Sequence, residues 1–192
     1  EAIPPLHGFP ARLVCPGTPG STSCKWLKRL WIRDRIHDGA KMTGQAYRMP
    51  TNPVAPGAEV ASSEGMTIID KMPVKSLITF PKSGIQVPLK KLFHCRGFAW
   101  TSEHMITALD VSIDFGQTWK RANLEKAPNR FAWQRWKASF SFPSAGYFEL
   151  WARATDNTGK AQPMVVPGWN SKGYLNNAMQ RIRVDVIDKK FS

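Results

Sequence analysis

The sequence predicts a mainly β protein, most of which forms an immunoglobulin-like β-sandwich. Apolar and polar residues alternate with a period of two along the second half of the chain, as in strands that bury one face. Turn-forming residues are frequent, with 15 prolines and 14 glycines. With 192 residues, of which 42% are hydrophobic, the chain is long enough to form a core without disulfides.

Composition divides the chain into three stretches. Residues 1–37 combine a Pro/Gly-rich loop at 15–20 with an apolar and basic run at 26–36, and they alternate too little to fold alone. Residues 38–65 are rich in Pro, Gly, Ala, Thr and Asn, which predicts an irregular linker. Residues 66–192 carry the alternating pattern and are predicted to form the sandwich.

Four segments of the third stretch show clear strand patterns. Each has an apolar set that is expected to face the core, separated by residues that face outward. These inward sets are Leu109, Val111 and Ile113; Trp136, Ala138, Phe140 and Phe142; Phe148, Leu150, Ala152 and Ala154; and Ile182, Val184 and Val186. Residues 114–117 and 156–159 supply turns, each with a glycine that can take a positive φ.

The net charge of +13 and the pI near 10.0 indicate an anionic partner. Nucleic acid, acidic protein, a phosphate-bearing cofactor and a small anionic substrate all fit this charge. The basic residues are scattered along strands and no nucleic-acid-binding module is recognisable, so we expect no nucleic acid. No apolar run approaches the ~20 residues that span a bilayer, and Glu1 does not begin a signal peptide. A soluble chain that starts within a longer protein is expected.

Metal-binding patterns are weak. Cys15, Cys24 and Cys95 form no CxxC pair and have no histidine at zinc-ligand spacing. A buried apolar role is favoured for them over a thiolate ligand. Asp114 and Asp156 each bring one carboxylate to a turn, which is too few for calcium, so turn formation is the better interpretation.

Tryptophan is abundant on the predicted strands. The set Trp119, Trp133, Trp136 and Trp151 could form a sugar-stacking platform, but tryptophan on a sandwich strand usually lies in the core or in an interface. We therefore favour the core interpretation for the set. An outward aromatic such as Trp151 would also suit a contact between two copies of the chain.

Several motifs are more specific. The segment HGFPARLVCPG at 7–17, followed by SCKWL at 23–27, resembles the end of the molybdopterin domain of sulfite oxidases, sulfite dehydrogenases and plant-type nitrate reductases. The segment WNSKGYLNNAMQRIRV at 169–184 is similar to the closing motif of that family's dimerisation domain. GFAW at 97–100 and LDVSIDFGQTW at 109–119 are similar to its conserved hairpin. The resemblance implies a short remnant of a molybdopterin-binding α/β domain before an immunoglobulin-like dimerisation domain.

The resemblance implies a set of cofactor-binding residues. By position these are His7, Arg12, Ser23, Cys24 and Lys25. The chemistry is suitable, because an arginine fork and a lysine charge bind phosphate and the pterin ring edge. We also expect backbone amides of the loop at 17–23 to complete an anion cradle. Without the resemblance, these residues would be taken for solvated surface groups.

Two departures from the family pattern concern the reaction itself. The family's molybdenum-ligating cysteine lies in an amino-terminal part that this sequence lacks, so no catalytic or metal-ligating residue is assigned in this chain. Many members also place a basic residue after GxAW, near the substrate anion. Here the basic role is vacant or falls to His104, and either His104 or Met105 stands in place of the family's basic residue. This departure favours a divergent bacterial sulfite dehydrogenase over an animal oxidase.

The implied function is part of a molybdenum-dependent enzyme that oxidises sulfite to sulfate. Its electrons would pass to a cytochrome-type acceptor, with haem on a partner protein. The resemblance further implies a homodimer, a separate or upstream molybdopterin domain, and a periplasmic location, and the fragment alone is expected to be inactive. Two alternatives stay open: the same chemistry on nitrate, a sulfoxide or a thiosulfonate, or a non-enzymatic immunoglobulin-like binding module.

Overall fold

Antiparallel strands dominate the computed structural model, which describes residues 2–39, 42–60, 65–170 and 172–188. The strands are β1 (Arg48–Pro50), β2 (Met66–Ile68), β3 (Lys75–Phe80), β4 (Ile85–Pro88), β5 (Phe93–Trp100), β6 (Ile106–Ser112), β7 (Lys120–Arg121), β8 (Asn123–Leu124), β9 (Gln134–Phe140), β10 (Gly146–Asp156) and β11 (Arg181–Ile187). Short 3-10 turns occur at Pro5–His7 and Gly20–Thr22. The predicted mainly β fold is confirmed. Among the described residues, no helix has the length and apolarity required to cross a bilayer.

The chain divides into two compact units. The amino-terminal unit comprises Glu1–Met72 and Pro167–Asn176, and the sandwich unit comprises Pro73–Val166 and Asn177–Ser192. Ten residues from late in the chain therefore belong with the amino-terminal unit, and the closing motif is divided between the two.

Two sheets form the sandwich unit. The first has the strand order β4-β11-β10-β6-β7 and the second the order β3-β5-β9-β8. All neighbours are antiparallel except β4 and β11, which pair in parallel with Val184 opposite Ile85. Bulges interrupt the pairing of β10 with β6 and of β3 with β5. This is the two-sheet arrangement that the alternating pattern predicts.

Apolar side chains from both sheets fill the core between them. The predicted inward sets lie there, with Leu109, Val111, Trp136, Ala138, Phe140, Phe142, Leu150, Ala152, Ala154, Ile182, Val184 and Val186 buried. Ile113 and Phe148 pack against the same core and are half-buried. The predicted faces of all four segments are thus confirmed.

Gly97 makes room for the largest side chain of the core. It lies directly opposite Trp136 across β5 and β9. A β-carbon at Gly97 would lie 1.9 Å from the carbonyl oxygen of Leu77 and 2.6 Å from the Trp136 ring. Only glycine fits here, because the indole packs against the backbone itself.

The tryptophans behave differently from one another. Trp136 is a core residue, as predicted. Trp133 is 54% exposed and stacks on Trp100, so the core interpretation is wrong for it; it lies just before β9, where no facing sheet covers it. Trp151 faces outward but is only 4% exposed, because the turn at Gly116 and the Arg181 guanidinium cover its ring. It is therefore not available for contact with another copy.

The two turn aspartates do form turns. The Asp114 carboxylate accepts hydrogen bonds from the backbone N–H of Thr118 at 2.9 and 3.1 Å, and the Ser112 hydroxyl donates to it at 2.6 Å. Asp156 accepts from the backbone N–H groups of Thr158 and Lys160. The turn interpretation is confirmed for both residues.

The amino-terminal unit contains one small sheet. β1 pairs with β2, with Arg48 opposite Ile68, so a strand lies inside the stretch at 38–65 that the sequence predicts as irregular. The Arg48 guanidinium stabilises the chain just before this strand, because it donates hydrogen bonds to the carbonyls of Met42, Gly44 and Ala46. The composition of the stretch does not predict this strand, because the chain before it is held by hydrogen bonds from one side chain, Arg48, to nearby backbone carbonyls.

Candidate cofactor-binding site

The two motifs near the amino terminus lie side by side. The backbone N–H of Leu13 donates to the carbonyl of Cys24 at 2.9 Å, and that of Leu27 donates to Ala11 at 2.8 Å. The N–H of Trp26 donates to Gly8 at 3.3 Å. These bonds align the HGFPAR segment with the SCKWL segment, as the shared role implied by the resemblance requires.

Gly8 lies at the centre of this arrangement. It is buried and has φ of +117°, a conformation that side chains rarely allow. A β-carbon there would lie 3.1 Å from the β-carbon of Lys25 and 3.3 Å from that of Arg12. The β-carbons of Arg12 and Lys25 therefore both lie close to one glycine, although the two residues are 13 positions apart in the sequence.

Three side chains reach back to the short turn Pro5–His7. The Lys25 ammonium donates to the carbonyl of Leu6 at 2.8 Å, and the Arg12 guanidinium donates to that of His7 at 3.1 Å. The indole N–H of Trp26 donates to Pro5 at 2.9 Å. His7, Arg12 and Lys25 thus form one exposed basic cluster, which we call the basic cluster.

Ser23 and Cys24 stabilise the adjoining loop. The Ser23 hydroxyl accepts the N–H of Cys15 at 3.1 Å, and the carbonyl of Cys24 receives the N–H of Leu13. The amides of Thr22, Ser23 and Cys24 donate to carbonyls within the loop, at 3.0 to 3.2 Å. The expected cradle is therefore wrong for the backbone amides of Thr22 and Ser23, because both are engaged by the 3-10 turn at Gly20–Thr22.

The donor set of the basic cluster fits an anionic group rich in hydrogen-bond acceptors. A guanidinium offers a planar fork, an ammonium offers three donors, and an imidazole can donate or accept. Within the described part of the chain, neither Arg12 nor Lys25 is paired with a carboxylate. A phosphate and a pterin edge therefore suit these residues.

His104 belongs to the sandwich unit, in the loop between β5 and β6, and is half-exposed. It lies near the Asp156 carboxylate. Burial raises the pKa of Asp156, but the hydrogen bonds from Thr158 and Lys160 and the charge of His104 lower it, and the net effect is a lowered pKa. Met105 exchanges hydrogen bonds with Asn157. These contacts hold the loop, and a role of His104 or Met105 toward a substrate stays a prediction.

The cysteines do not assemble a metal site. All three are free thiols: Cys24 is exposed, Cys15 half-buried and Cys95 buried. Burial raises the pKa of the Cys95 thiol to about 12, so it stays protonated at neutral pH. Among the described residues, no group of three His, Cys, Asp or Glu side chains is placed to hold a metal ion.

Sequence reasoning overlooked two residues of the site. Gly8 and Trp26 belong to the two motifs, but the resemblance implies no cofactor contact for either of them. The HG pair carries a signal for Gly8, because glycine permits a positive φ and close approach of the backbone. The sequence carries no comparable signal for Trp26.

The fold consists of a β-sandwich domain and a smaller amino-terminal unit that carries an exposed basic cluster. Comparison with known families identifies both parts. Residues 66–187 match the Mo-co oxidoreductase dimerisation domain, and residues 1–41 match the oxidoreductase molybdopterin binding domain. The chain belongs to this family of molybdenum-cofactor oxidoreductases, which confirms the resemblance found in the sequence.

Individual relatives agree with this assignment. Sulfite oxidase from Gallus gallus is 31% identical over 93% of this chain, and human mitochondrial sulfite oxidase is 32% identical over 97%. Nitrate reductase [NADH] 1 from Phaseolus vulgaris is 28% identical over 99%. The chain spans only 39%, 35% and 23% of the lengths of these three relatives.

A solved structure shows the same architecture. The sulfane dehydrogenase SoxCD from Paracoccus pantotrophus superposes with a TM-score of 0.77 and 29% identity, over 96% of this chain and 46% of that one. The likeness thus extends across both units and is not confined to the sandwich.

Proposed function

We propose that this chain is the carboxy-terminal portion of a molybdenum-dependent enzyme that oxidises sulfite to sulfate. The observation that carries the proposal is the basic cluster, which the fold assembles from two motifs within the part that matches a molybdopterin-binding domain. When bound, the molybdenum cofactor would supply the redox chemistry on the substrate. The residues of this chain would hold that cofactor and would not take part in bond breaking.

Each residue of the cluster has a distinct task in this proposal. Arg12 presents a fork to the cofactor phosphate, while Lys25 adds a point charge beside it. His7 donates or accepts a hydrogen bond at the edge of the ring system. Ser23 and Cys24 act mainly through the loop they hold, since the Ser23 hydroxyl and the Cys24 carbonyl are engaged with Cys15 and Leu13.

The remainder of the molybdopterin domain is the first partner we propose. Residues 30–36 leave large apolar side chains in water, with Leu30 67% exposed, Trp31 72%, Ile32 89% and Ile36 69%. Apolar groups of this size normally lie against other protein. The missing part of the domain would cover them and would supply the cysteine that ligates molybdenum.

The second partner we propose is another copy of the chain, docked through the outer face of the five-stranded sheet. Phe115 and Tyr147 stack there at 6.3 Å and are 48% and 51% exposed. The surrounding charges have both signs, as in the pair of Arg183 with Asp185 at 2.9 Å. A face with both signs is self-complementary about a two-fold axis, which a homodimer requires.

Sulfite is preferred as substrate because sulfite oxidases from vertebrates and an insect are similar over nearly the whole chain. A sulfane-type sulfur compound is the second candidate, favoured by the likeness to the sulfane dehydrogenase structure. Sulfite is a small anion, in keeping with the positive net charge of the chain, and we propose a cytochrome-type electron acceptor with haem on a partner protein. The periplasmic location stays a prediction from the family resemblance.

Substitutions in the complete enzyme test the cofactor role. Arg12→Gln should lose a charge-assisted contact of roughly 1.5 to 3 kcal/mol, a ten- to hundredfold weakening of cofactor binding. Lys25→Gln should do less, because a single point charge is screened more easily. Arg29→Gln, an exposed arginine beyond the paired segments, is the matched control.

Pterin content, molybdenum content and thermal unfolding would be measured on the same preparation. Loss of cofactor with unchanged melting of the sandwich supports the proposal. Full occupancy in the double variant Arg12→Gln/Lys25→Gln would contradict it. Stoichiometric molybdenum in this chain alone would contradict the claim that the metal ligand lies elsewhere.

A further inference from the structure

The two sheets of the sandwich differ in how they carry charge. The strands of the four-stranded sheet, β3, β5, β8 and β9, contain no aspartate or glutamate. The strands of the five-stranded sheet contain Asp110, Glu149, Asp156 and Asp185. The acidic strand residues of the sandwich therefore all lie on one of its two sheets.

On the five-stranded sheet, charges are largely compensated locally. Asp110 pairs with Arg121 at 2.8 Å and lies 3.7 Å from Arg153. Asp185 pairs with Arg183 on the same strand at 2.9 Å. This sheet therefore needs no external anion to balance these arginines.

The outer face of the four-stranded sheet is different. Burial alternates along β5 and β9, so the exposed positions of both strands share one side. We call the set His94, Arg96, Arg135 and Lys137 the basic face; all four side chains are exposed. Arg96 stands directly opposite Lys137, and Arg135 is opposite Phe98.

Opposed like charges lower the stability of a sheet, so this arrangement is not explained by folding. Arg96 lies 5.5 Å above the ring of Phe80, which supports its side chain but does not neutralise it. Within the described residues, no carboxylate forms an ion pair with a member of the basic face. Among the described residues, the repulsion between Arg96 and Lys137 is therefore not offset by an ion pair.

Aromatic side chains border the basic face at one end. The ring of Trp133 stacks on that of Trp100 at 4.3 Å with an interplanar angle of 12°, and Phe98 lies 6.0 Å from Trp133. Arginine, tryptophan and phenylalanine are the residues enriched in protein interfaces. The combination of a cationic centre and an aromatic border is typical of a surface that binds another protein.

We propose that the basic face docks the acidic surface of a partner protein. Its cations are spread over two neighbouring strands and do not converge on one point, so a small anion would meet only part of them. A second copy of this chain does not fit, because two-fold pairing would bring Arg96 and Lys137 against cations. This inference does not depend on the proposed substrate or cofactor.

Binding to an acidic probe tests the proposal. The probe is poly-L-glutamate, measured at several salt concentrations, and the variant is Arg96→Gln/Lys137→Gln. The control is Lys82→Gln/Lys160→Gln, which removes the same charge from two exposed lysines outside this face. We expect the face variant to weaken binding about tenfold and to flatten its salt dependence, and the control to change binding less than about twofold.

Two further measurements keep the test decisive. Lys137→Gln should raise the melting temperature slightly, because it removes repulsion with Arg96; a clear decrease would show a structural role and overturn the proposal. Vesicles of phosphatidylcholine and phosphatidylserine serve as a second probe. Equal weakening of poly-L-glutamate binding by the face and control variants would also overturn the proposal. So would a face variant that loses binding to the vesicles but keeps binding to poly-L-glutamate.

Discussion

Gly8 and Lys25 approach each other so closely that a methyl group on Gly8 would lie 3.1 Å from the Lys25 β-carbon. The same methyl would lie 3.3 Å from the Arg12 β-carbon. The spacing of the two cations in the basic cluster is therefore set by the absence of one side chain.

The first prediction is that Gly8→Ala disrupts the basic cluster. Its φ of +117° adds backbone strain to the steric contact, so we expect a loss of about 1–3 kcal/mol in the stability of the amino-terminal unit. Cofactor content of the complete enzyme should fall with it. Gly20→Ala is the control, since nothing lies within 4 Å of that position. Equal cofactor content in Gly8→Ala and Gly20→Ala would show that Gly8 is not needed for cofactor binding.

Much of the sandwich was predictable from the sequence, because each long strand buries one face and the period of two is unambiguous. The outward face of Trp151 also followed from that period, but its cover by Gly116 and Arg181 did not. Such cover depends on a turn folding back over its own sheet. The short strands β7 and β8, of two residues each, are too brief to show any period.

The candidate site was predictable only through family resemblance. Arg12 and Lys25 carry no local pattern that distinguishes them from solvated charges. Their proximity arises from backbone pairing between segments that the sequence pattern does not identify as strands. The sequence also does not show that the 3-10 turn at Gly20–Thr22 engages amides of this loop, because that depends on exact backbone geometry.

The second prediction concerns the proposed dimer. Tyr147→Arg would place a further cation at the outer face of the five-stranded sheet, beside its counterpart in the other copy, and should weaken dimerisation about tenfold or more. Trp133→Arg, an exposed aromatic on the other sheet, is the control. Light scattering over a concentration series is the measurement. If Trp133→Arg abolishes the dimer and Tyr147→Arg does not, the two copies meet through the four-stranded sheet and the proposed interface is wrong.

The third prediction concerns a buried polar residue. The Gln162 side-chain oxygen accepts from the backbone N–H of Ser76 at 2.9 Å and from its hydroxyl at 2.7 Å, and its amide donates to Ala178. Gln162→Leu leaves the Ser76 N–H without that partner and should cost about 2–4 kcal/mol in urea unfolding. Gln117→Leu, exposed on a turn, should change little. Similar stability for both would mean that water replaces Gln162.

The fourth prediction is a pH effect at Asp114. Hydrogen bonds from Ser112 and Thr118 lower the pKa of Asp114 to about 2. A depressed pKa stabilises the fold above the unfolded value near 4, and this contribution is lost as the pH falls toward 2. Asp114→Asn should therefore cost about 1 kcal/mol at pH 7, after allowance for solvent screening, and progressively less in acid. A constant difference across this range would show that the carboxylate charge is unimportant.

The fifth prediction uses the three thiols as probes of structure. An aromatic disulfide reagent at pH 8 should label Cys24 fastest and Cys15 more slowly. Cys95 is buried and its pKa is about 12, so it should react only as the sandwich unfolds. Cys95→Ala identifies its signal. Rapid labelling of all three thiols in the native protein would mean that the core opens locally.

The strand order has a consequence for biosynthesis. β11 lies between β4 and β10, and Pro167–Asn176 completes the amino-terminal unit. A ribosome therefore exposes β4 and β10 before the strand that joins them has been translated. Neither unit can close before these late segments have been synthesised. The pairing of β4 and β10 with β11 therefore waits for the synthesis of β11, and until then their unpaired edges are exposed in the way that makes folding intermediates prone to aggregate.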